Sequence, residues 1–293
     1  MKKLLIFVFA LVATSVSAQY YVSVSGGAQM GSAGVLMGTE LNAGKTQATN
    51  EYGSFGEGLN AQLRAGYFWN KTFGVELGLG YLHGADQVRD SYKTTSGVVT
   101  EVVDATAYAR AYGLTAALVY NFNENIYGKF GAAVKVGGKT VAELTRTTTT
   151  PFGPIVASGE QEFKGRLPLG FIGAMGYKYK LSDKLNIFAE LEYLGINVTR
   201  DKSEFTKLTI AYPAVPAGSL GGGQPAATIP AGTWNVGSAP LTHPVFGTIY
   251  APKTIEYVDT LPVNNTDPSK ALSEVAPYSS FGLNIGITYT FGK

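Results

Sequence analysis

The 293-residue sequence contains no cysteine, few charged residues and, after its N-terminus, no long uninterrupted apolar run. Without cysteine, a disulfide framework, thiolate catalysis and a lipid anchor on cysteine are excluded. Charged residues make up 15% of the chain, whereas ordinary soluble domains contain about 25%. No later apolar stretch approaches the roughly 18 residues of a spanning helix, so we expect no transmembrane helix.

Glycine and aromatic residues are abundant instead, with 37 Gly, 18 Tyr and 15 Phe. This composition favours a β protein with closely packed backbones and many aromatic side chains at interfaces. Once Lys2 and Lys3 are removed with a cleaved leader, the chain contains 21 basic and 21 acidic residues. Such a neutral balance gives no electrostatic footprint for nucleic acid, and we expect no nucleic-acid partner.

The N-terminal residues have the pattern of a secretory signal peptide. Lys2 and Lys3 precede an apolar segment at 4–12, and compact residues at 16–18 suit signal peptidase. We predict a signal peptide over 1–18, cleavage between Ala18 and Gln19, and a single domain over 19–293.

The last stretch of the chain, YSSFGLNIGITYTF at 278–291, alternates strictly between apolar and small or polar residues. Period-two alternation predicts a strand with one apolar face. A tilted strand of about 9–11 residues crosses a bilayer, and aromatic residues at both ends are typical of membrane strands. The apolar face consists of Phe281, Leu283, Ile285, Ile287, Tyr289 and Phe291.

Seven earlier stretches repeat this alternation, at about 20–31, 57–69 and 72–83, up to 122, from 126, up to 181, and from 185. Short connections near 70, 123–125 and 182–184 alternate with long ones at about 32–56, 85–105, 140–163 and 200–276. This sorting predicts an all-β fold, an eight-stranded antiparallel up-and-down transmembrane β-barrel with three short periplasmic turns and four long extracellular loops. A soluble secreted β protein, the alternative, has no reason to sort its loops by side.

The turns also predict register, because directly paired residues on antiparallel strands share a face. An odd number of loop residues is then required, and three-residue hairpins satisfy this. The pairs that close such turns are Phe68 with Thr72, Phe122 with Ile126, and Leu181 with Leu185. The first of these pairings sets Arg64 opposite Glu76.

The long connections are predicted to contain structure of their own. Two hairpins should extend past the membrane, one turning at Gly97 and one at 151–154. Residues 213–240, rich in Pro, Ala and Gly, are expected to be poorly ordered. Residues 245–260 could form a further hairpin turning at 251–253, and the sequence leaves open whether it joins the barrel or stays in the loop.

Inward-facing charges are the most informative polar set. Eight strands enclose just enough room for side chains, and buried charges need partners. We therefore predict a polar network that plugs the lumen, with an ion path as the alternative. Its members are Arg64, Glu76, Lys129, Lys135, Arg166, Lys178, Glu190 and Glu192.

Catalytic and metal-binding constellations are weak in this sequence. His83 ends a strand near Asp86 and Asp90, a combination that could be a metal site, a hydrolase dyad or a solvated rim. The strand register brings no Ser, His and Asp together. We expect no enzymatic activity, no metal and no cofactor.

The stretches GYFWNKTFGVELGLGYLHG, GYKYKLSDKLNIFAELEYLG and SFGLNIGITYTF resemble those of small outer-membrane β-barrel proteins. This OmpA-like and OmpX-like group is also described as the outer membrane protein beta-barrel domain or porin family. The resemblance implies a monomer in the outer membrane of a Gram-negative cell, in contact with lipid and lipopolysaccharide. It also implies insertion by the outer-membrane assembly machinery, which would recognise the final strand.

The resemblance specifies architecture more than role. A structural or surface-interaction protein, which binds an extracellular ligand through its loops, is the first hypothesis. A narrow porin-like channel for small solutes or ions is the alternative.

Overall fold

The computed structural model describes residues 19–32 and 34–291, and most of these residues lie in β-strands. No helix among them is long and apolar enough to cross a membrane. The predicted signal peptide, including Ala18, lies outside the described residues, whereas Gln19 opens the first strand. The strands are β1 (Gln19–Gly31), β2 (Val35–Leu41), β3 (Ala48–Gly53), β4 (Gly58–Phe68), β5 (Phe73–Gly84), β6 (Gln87–Val88), β7 (Tyr92–Ser96), β8 (Val99–Asn121), β9 (Ile126–Thr150), β10 (Gly153–Gly165), β11 (Leu169–Lys180), β12 (Leu185–Gly195), β13 (Asn197–Tyr212), β14 (Gly232–Asn235), β15 (Leu241–His243), β16 (Gly247–Ile249), β17 (Thr254–Val258), β18 (Lys270–Leu272), β19 (Val275–Pro277) and β20 (Ser280–Phe291).

Eight of these strands pair antiparallel in a cycle that returns to its starting strand. The order is β1, β4, β5, β8, β9, β11, β12 and β20. The closing pair of β1 with β20 runs without interruption from Tyr20 opposite Phe291 to Gly31 opposite Ser280. We call this set the ring, and its strands coincide with the eight alternating stretches of the sequence.

The ring carries its apolar side chains on the outside. In β20, Ile285 is 63% exposed, whereas its neighbour Asn284 is fully buried inside the ring. The same inversion holds in β1, where Val24 is exposed and Ser23 and Ser25 are buried. A water-soluble protein places these residues the other way round, so the outer face is built for an apolar surrounding.

Two of the three predicted turn registers are confirmed. The Phe122 amide donates to the Ile126 carbonyl at 2.9 Å, and the Leu181 amide donates to the Leu185 carbonyl at 2.9 Å. Both loops therefore contain three residues, as the parity of the flanking strands requires.

The register of the first turn was predicted wrongly. Phe68 pairs with Gly74 rather than with Thr72, so Glu76 lies opposite Gly66 and not opposite Arg64. The difference is a longer turn of five residues at 69–73, in which Asn70 Oδ1 accepts hydrogen bonds from the amides of Thr72 and Phe73 at 2.8 and 2.7 Å. A five-residue turn preserves parity as well as a three-residue turn does.

Beyond the long-connection end of the ring, β8 and β9 continue as paired strands and are joined by β10 and β13. We call this four-stranded extension the outer sheet. Both predicted hairpins are confirmed: β7 and β8 meet at Gly97, whose φ is +60°, and β9 and β10 meet across residues 151–152. A further hairpin, β2 with β3, occupies the first long connection.

The last long connection is more regular than expected. Residues 213–240 contain β14, and Trp234 on this strand is buried against Leu208 and Ile249. The predicted hairpin within 245–260 is wrong, because β16 pairs with β15 while β17 pairs with β13 and β18. Neither segment pairs with a strand of the ring.

Candidate functional site

The middle of the ring contains five buried ionisable side chains, which we call the central cluster: Arg64, Glu76, Lys129, Glu190 and Glu192. Each lies at an inward position of β4, β5, β9 or β12, and none of these side chains is more than 9% exposed. Glu190 forms ion pairs with both cations, with Arg64 Nη2 at 2.9 Å and with Lys129 Nζ at 3.0 Å. Lys129 also contacts Glu76 at 3.2 Å, and Arg64 contacts Glu192 at 3.4 Å.

Neutral side chains complete the hydrogen bonding of the central cluster. Tyr21 donates to Glu76 at 2.9 Å and Tyr127 donates to Glu190 at 2.8 Å. Gln62 donates to Glu192 at 2.9 Å and accepts from Arg64 Nε at 2.8 Å. Buried charges are stable only when paired and hydrogen-bonded, and here every carboxylate has both kinds of partner.

The other predicted network residues lie away from the cluster. Lys178 points inward near the short turns and donates to Asn121 at 2.8 Å. Lys135 points inward near the opposite end, with Nζ 5.4 Å from the centroid of the Tyr278 ring. Among the described residues, neither lysine has a carboxylate within ion-pair distance.

Arg166 was wrongly placed in the lumen. It pairs with Asp201 and Asp259 on the exposed surface of the outer sheet. The residue lies between the end of β10 and the start of β11, so the inward–outward alternation of a ring strand does not govern its direction.

A cavity of about 100 Å³ lies between the central cluster and the long-connection end; we call it the inner cavity. Gln29 and Asn60 line it, and each has a buried amide oxygen without a partner from the described protein. Water or a polar solute would satisfy such atoms. The space exists because Gly80 faces Gly113 in the wall, where a Cβ at Gly80 would meet nothing closer than 3.9 Å.

A second cavity, of about 190 Å³, lies where the ring meets the outer sheet; we call it the mouth cavity. Tyr278 and Lys135 line both cavities and so form the boundary between them. The Tyr278 hydroxyl bonds to Thr140 Oγ1 at 2.5 Å, and its ring packs 5.7 Å from Phe55. Burial raises the pKa of Tyr278 to about 12, so this phenol is neutral at physiological pH.

The histidines form no metal site in the part of the chain that the structure describes. His83 is exposed, and its Nδ1 lies 3.3 Å from the Tyr81 hydroxyl. His243 is buried and accepts backbone hydrogen bonds within its own turn. Within residues 19–32 and 34–291, no group of three His, Cys, Asp or Glu side chains could hold a metal ion.

Sequence reasoning missed the neutral partners of the cluster and the whole mouth cavity. Tyr21, Gln62 and Tyr127 share the inward parity of the charged residues, so that parity was the available signal. Arg89 and Arg200 carried no such signal, because both lie outside the strands that alternate around the ring.

Several solved structures are similar to this chain at low identity. Ail, the attachment invasion locus protein of Yersinia pestis in complex with the heparin analogue sucrose octasulfate, is 11% identical with a TM-score of 0.30, over 94% of this chain and 99% of that one. Neisserial surface protein A is 11% identical with a TM-score of 0.31, over the same shares. The CymD monoaromatic hydrocarbon channel is 11% identical with a TM-score of 0.26, over 94% and 89%.

No curated protein matches the chain. The family model for the outer membrane protein beta-barrel domain matches residues 4–212, which is more than half of the sequence. The protein therefore belongs to the outer membrane protein beta-barrel family, which indicates that it resides in an outer membrane.

Proposed function

We propose that the ring crosses the outer membrane of a Gram-negative cell as an eight-stranded up-and-down barrel. The three short turns, the start of β1 and the end of β20 then face the periplasm, and the outer sheet faces the exterior. Two belts of outward aromatic side chains support this orientation, because such belts flank the apolar band of a membrane barrel. One belt contains the pairs Tyr20–Tyr67, Phe73–Tyr120 and Tyr289–Phe291, and the other contains Tyr81–Tyr112 and Phe171–Tyr193.

The proposal also covers the export of the chain, its assembly and its contacts with lipid. Residues 1–18 are removed on export, the assembly machinery recognises β20, and the outward apolar faces contact lipid and lipopolysaccharide around a monomer. N-terminal sequencing of protein purified from outer membranes should begin at Gln19. A mature chain that begins at Met1 would contradict the cleavage.

We propose a structural or surface-interaction role with a closed lumen. The central cluster carries this proposal, since its five buried ionisable groups contact one another across the ring. An eight-stranded barrel has room for little more than its own side chains. Contacts with the exterior then fall to the outer sheet and the mouth cavity, and the role is binding rather than catalysis.

Single-channel recording on the reconstituted protein tests the closed lumen. The folded protein, identified by its heat-modifiable migration on gels, should give no steady conductance steps. Reproducible steps of one size would contradict closure. Ester hydrolysis that disappears in His83→Ala would separately contradict the non-catalytic role.

A narrow channel for small solutes or ions is the second candidate, and the inner cavity favours it. Gln29, Asn60 and Asn284 place buried polar atoms, which have no partner among the described residues, on the lumen wall, as a hydrated path requires. Passage would also require the central cluster to rearrange. Conductance that rises when Arg64 and Glu190 are both replaced by alanine, from a measurable wild-type level, would favour this candidate.

A further inference from the structure

We propose that the mouth cavity binds a small organic anion with one apolar part, such as a single-ring carboxylate. This inference rests on the proposed surface-interaction role and gives it a ligand class. The cavity is lined by the cationic residues Arg89, Lys135 and Arg200 and by the apolar residues Phe55, Leu144 and Phe163.

Arg89 is the main reason to expect an anion. Within the described residues it has no carboxylate at ion-pair distance, and its side chain contacts Met37 Sδ at 3.8 Å and lies 5.8 Å from the Phe55 ring. A guanidinium offers five donors and no acceptor. Most of that donor capacity is therefore available to a ligand in the cavity.

Burial and a neighbouring positive charge raise the free energy of this unpaired guanidinium. Burial lowers the pKa of Arg89, and the positive charge of Arg200 lowers it further. A guanidinium nevertheless stays charged in proteins, so two cations face one half-buried space. A bound anion would relieve both the repulsion and the desolvation.

Nearby acids do not neutralise the cavity. Arg200 is paired with Glu274, and Asp90 lines the cavity as an exposed carboxylate beside Arg89. Against these two acids stand Arg89 and Arg200 together with Lys135 and Lys164, which also line the cavity. The balance of the lining is cationic.

Most of the remaining lining is apolar, and it limits the size of the ligand. Arg200 lies over the Phe163 ring at 4.7 Å, and Phe55 is buried against Tyr278. An apolar cavity of about 150 Å³ admits benzene, and the mouth cavity has about 190 Å³. One ring fits with its carboxylate on Arg89, whereas a bare inorganic anion would leave the apolar wall uncovered.

Calorimetric titration of the detergent-solubilised full chain tests the inference with three probes: benzoate, benzyl alcohol and inorganic phosphate. Benzoate should bind saturably, and the other two should bind at least roughly tenfold more weakly, since each lacks one half of the recognised chemistry. Phosphate bound as tightly as benzoate, or no saturable benzoate binding, would overturn the proposal.

Matched variants locate the site. Arg89→Gln should weaken benzoate binding by about tenfold, whereas Arg166→Gln makes the same change at an exposed residue that does not line the cavity and should have no effect. Ala142→Phe keeps every cation but fills the cavity, and it should weaken binding as well. Equal benzoate affinity in Arg89→Gln and Arg166→Gln would overturn the assignment.

The benzoate-binding experiment can fail independently of the conductance experiment that tests the closed lumen. Absence of benzoate binding in a non-conducting barrel would overturn this inference alone. Steady conductance together with Arg89-dependent benzoate binding would overturn only the closed lumen.

Discussion

Replacing Arg64 by methionine removes one of the two cations that contact the three carboxylates of the central cluster. Arg64 contacts Glu190 through two nitrogens at 2.9 and 3.2 Å, and it also lies 3.4 Å from Glu192 and 3.9 Å from Glu76. In the variant, Lys129 alone faces all three carboxylates. Methionine occupies much of the volume of the arginine stem, so the loss of packing is the smaller effect.

Removing one partner of a buried ion pair destabilises a protein by about 3–5 kcal/mol, because the other charge remains buried without compensation. An exposed pair is worth only about 0–1 kcal/mol. The side chains of Arg64 and Glu190 are 3% and 0% exposed, so the larger range applies. Urea unfolding in lipid vesicles, followed by tryptophan fluorescence, measures the difference in free energy.

A double variant, Arg64→Met with Glu190→Gln, provides the control for this experiment. It also removes the carboxylate closest to Arg64, and it should recover part of the lost stability, which gives a coupling energy for the pair. A loss below about 1 kcal/mol in Arg64→Met, or a double variant no more stable than the single one, would refute a dry, paired cluster.

Three further predictions concern the outer face and the outer sheet. Ile285→Arg should reduce barrel insertion into vesicles at a cost of about 2–4 kcal/mol, whereas Val263→Arg, at a fully exposed loop position, should insert normally; equal insertion would contradict a lipid-facing β20. Trp234→Ala should cost about 3–5 kcal/mol of local packing and make 213–240 sensitive to protease while the ring stays intact; unchanged proteolysis would count against a packed segment. The hydrogen bond from Arg146 holds the pKa of Glu101 below its ordinary value of 4.5, so its modest stabilisation is present above that value and is lost as the pH falls through the lower folded-state pKa. The protection of amides 99–104, measured relative to the intrinsic exchange rate at each pH, should fall on acidification in the wild type and not in Arg146→Gln.

Strand positions could be predicted because a single physical pattern fixes them. Apolar side chains every second residue mark the outward face of every ring strand, and this pattern does not depend on distant parts of the chain. Register depends on turn length, which parity restricts only to odd values. The turn at Asn70 contains five residues and the turn at Asn123 contains three, although each asparagine caps two amides in the same way. Neither alternation nor the turn residue therefore reveals the length.

The central cluster was predictable for the same reason and the mouth cavity was not. Arg64, Glu76, Lys129, Glu190 and Glu192 occupy inward positions, and a narrow lumen brings inward charges together. Arg89 and Arg200, by contrast, are separated by more than a hundred residues and meet only because β13 joins the outer sheet beside β10. Their proximity is a consequence of long-range pairing.

The order of the central cluster, the inner cavity and the mouth cavity along the ring explains why binding is expected at the mouth rather than deeper in the lumen. Both cations of the central cluster are committed to carboxylates, so the cluster offers no free charge to a ligand. Arg89 and Lys135, at the level of the mouth cavity, have no such partners within the described chain. Tyr278, held by Thr140 and Phe55, separates this level from the inner cavity. An anion at Arg89 would therefore meet Arg89 and Lys135. Unlike the two cations of the central cluster, these two have no carboxylate partner among the described residues, and they line a cavity beside the outer sheet.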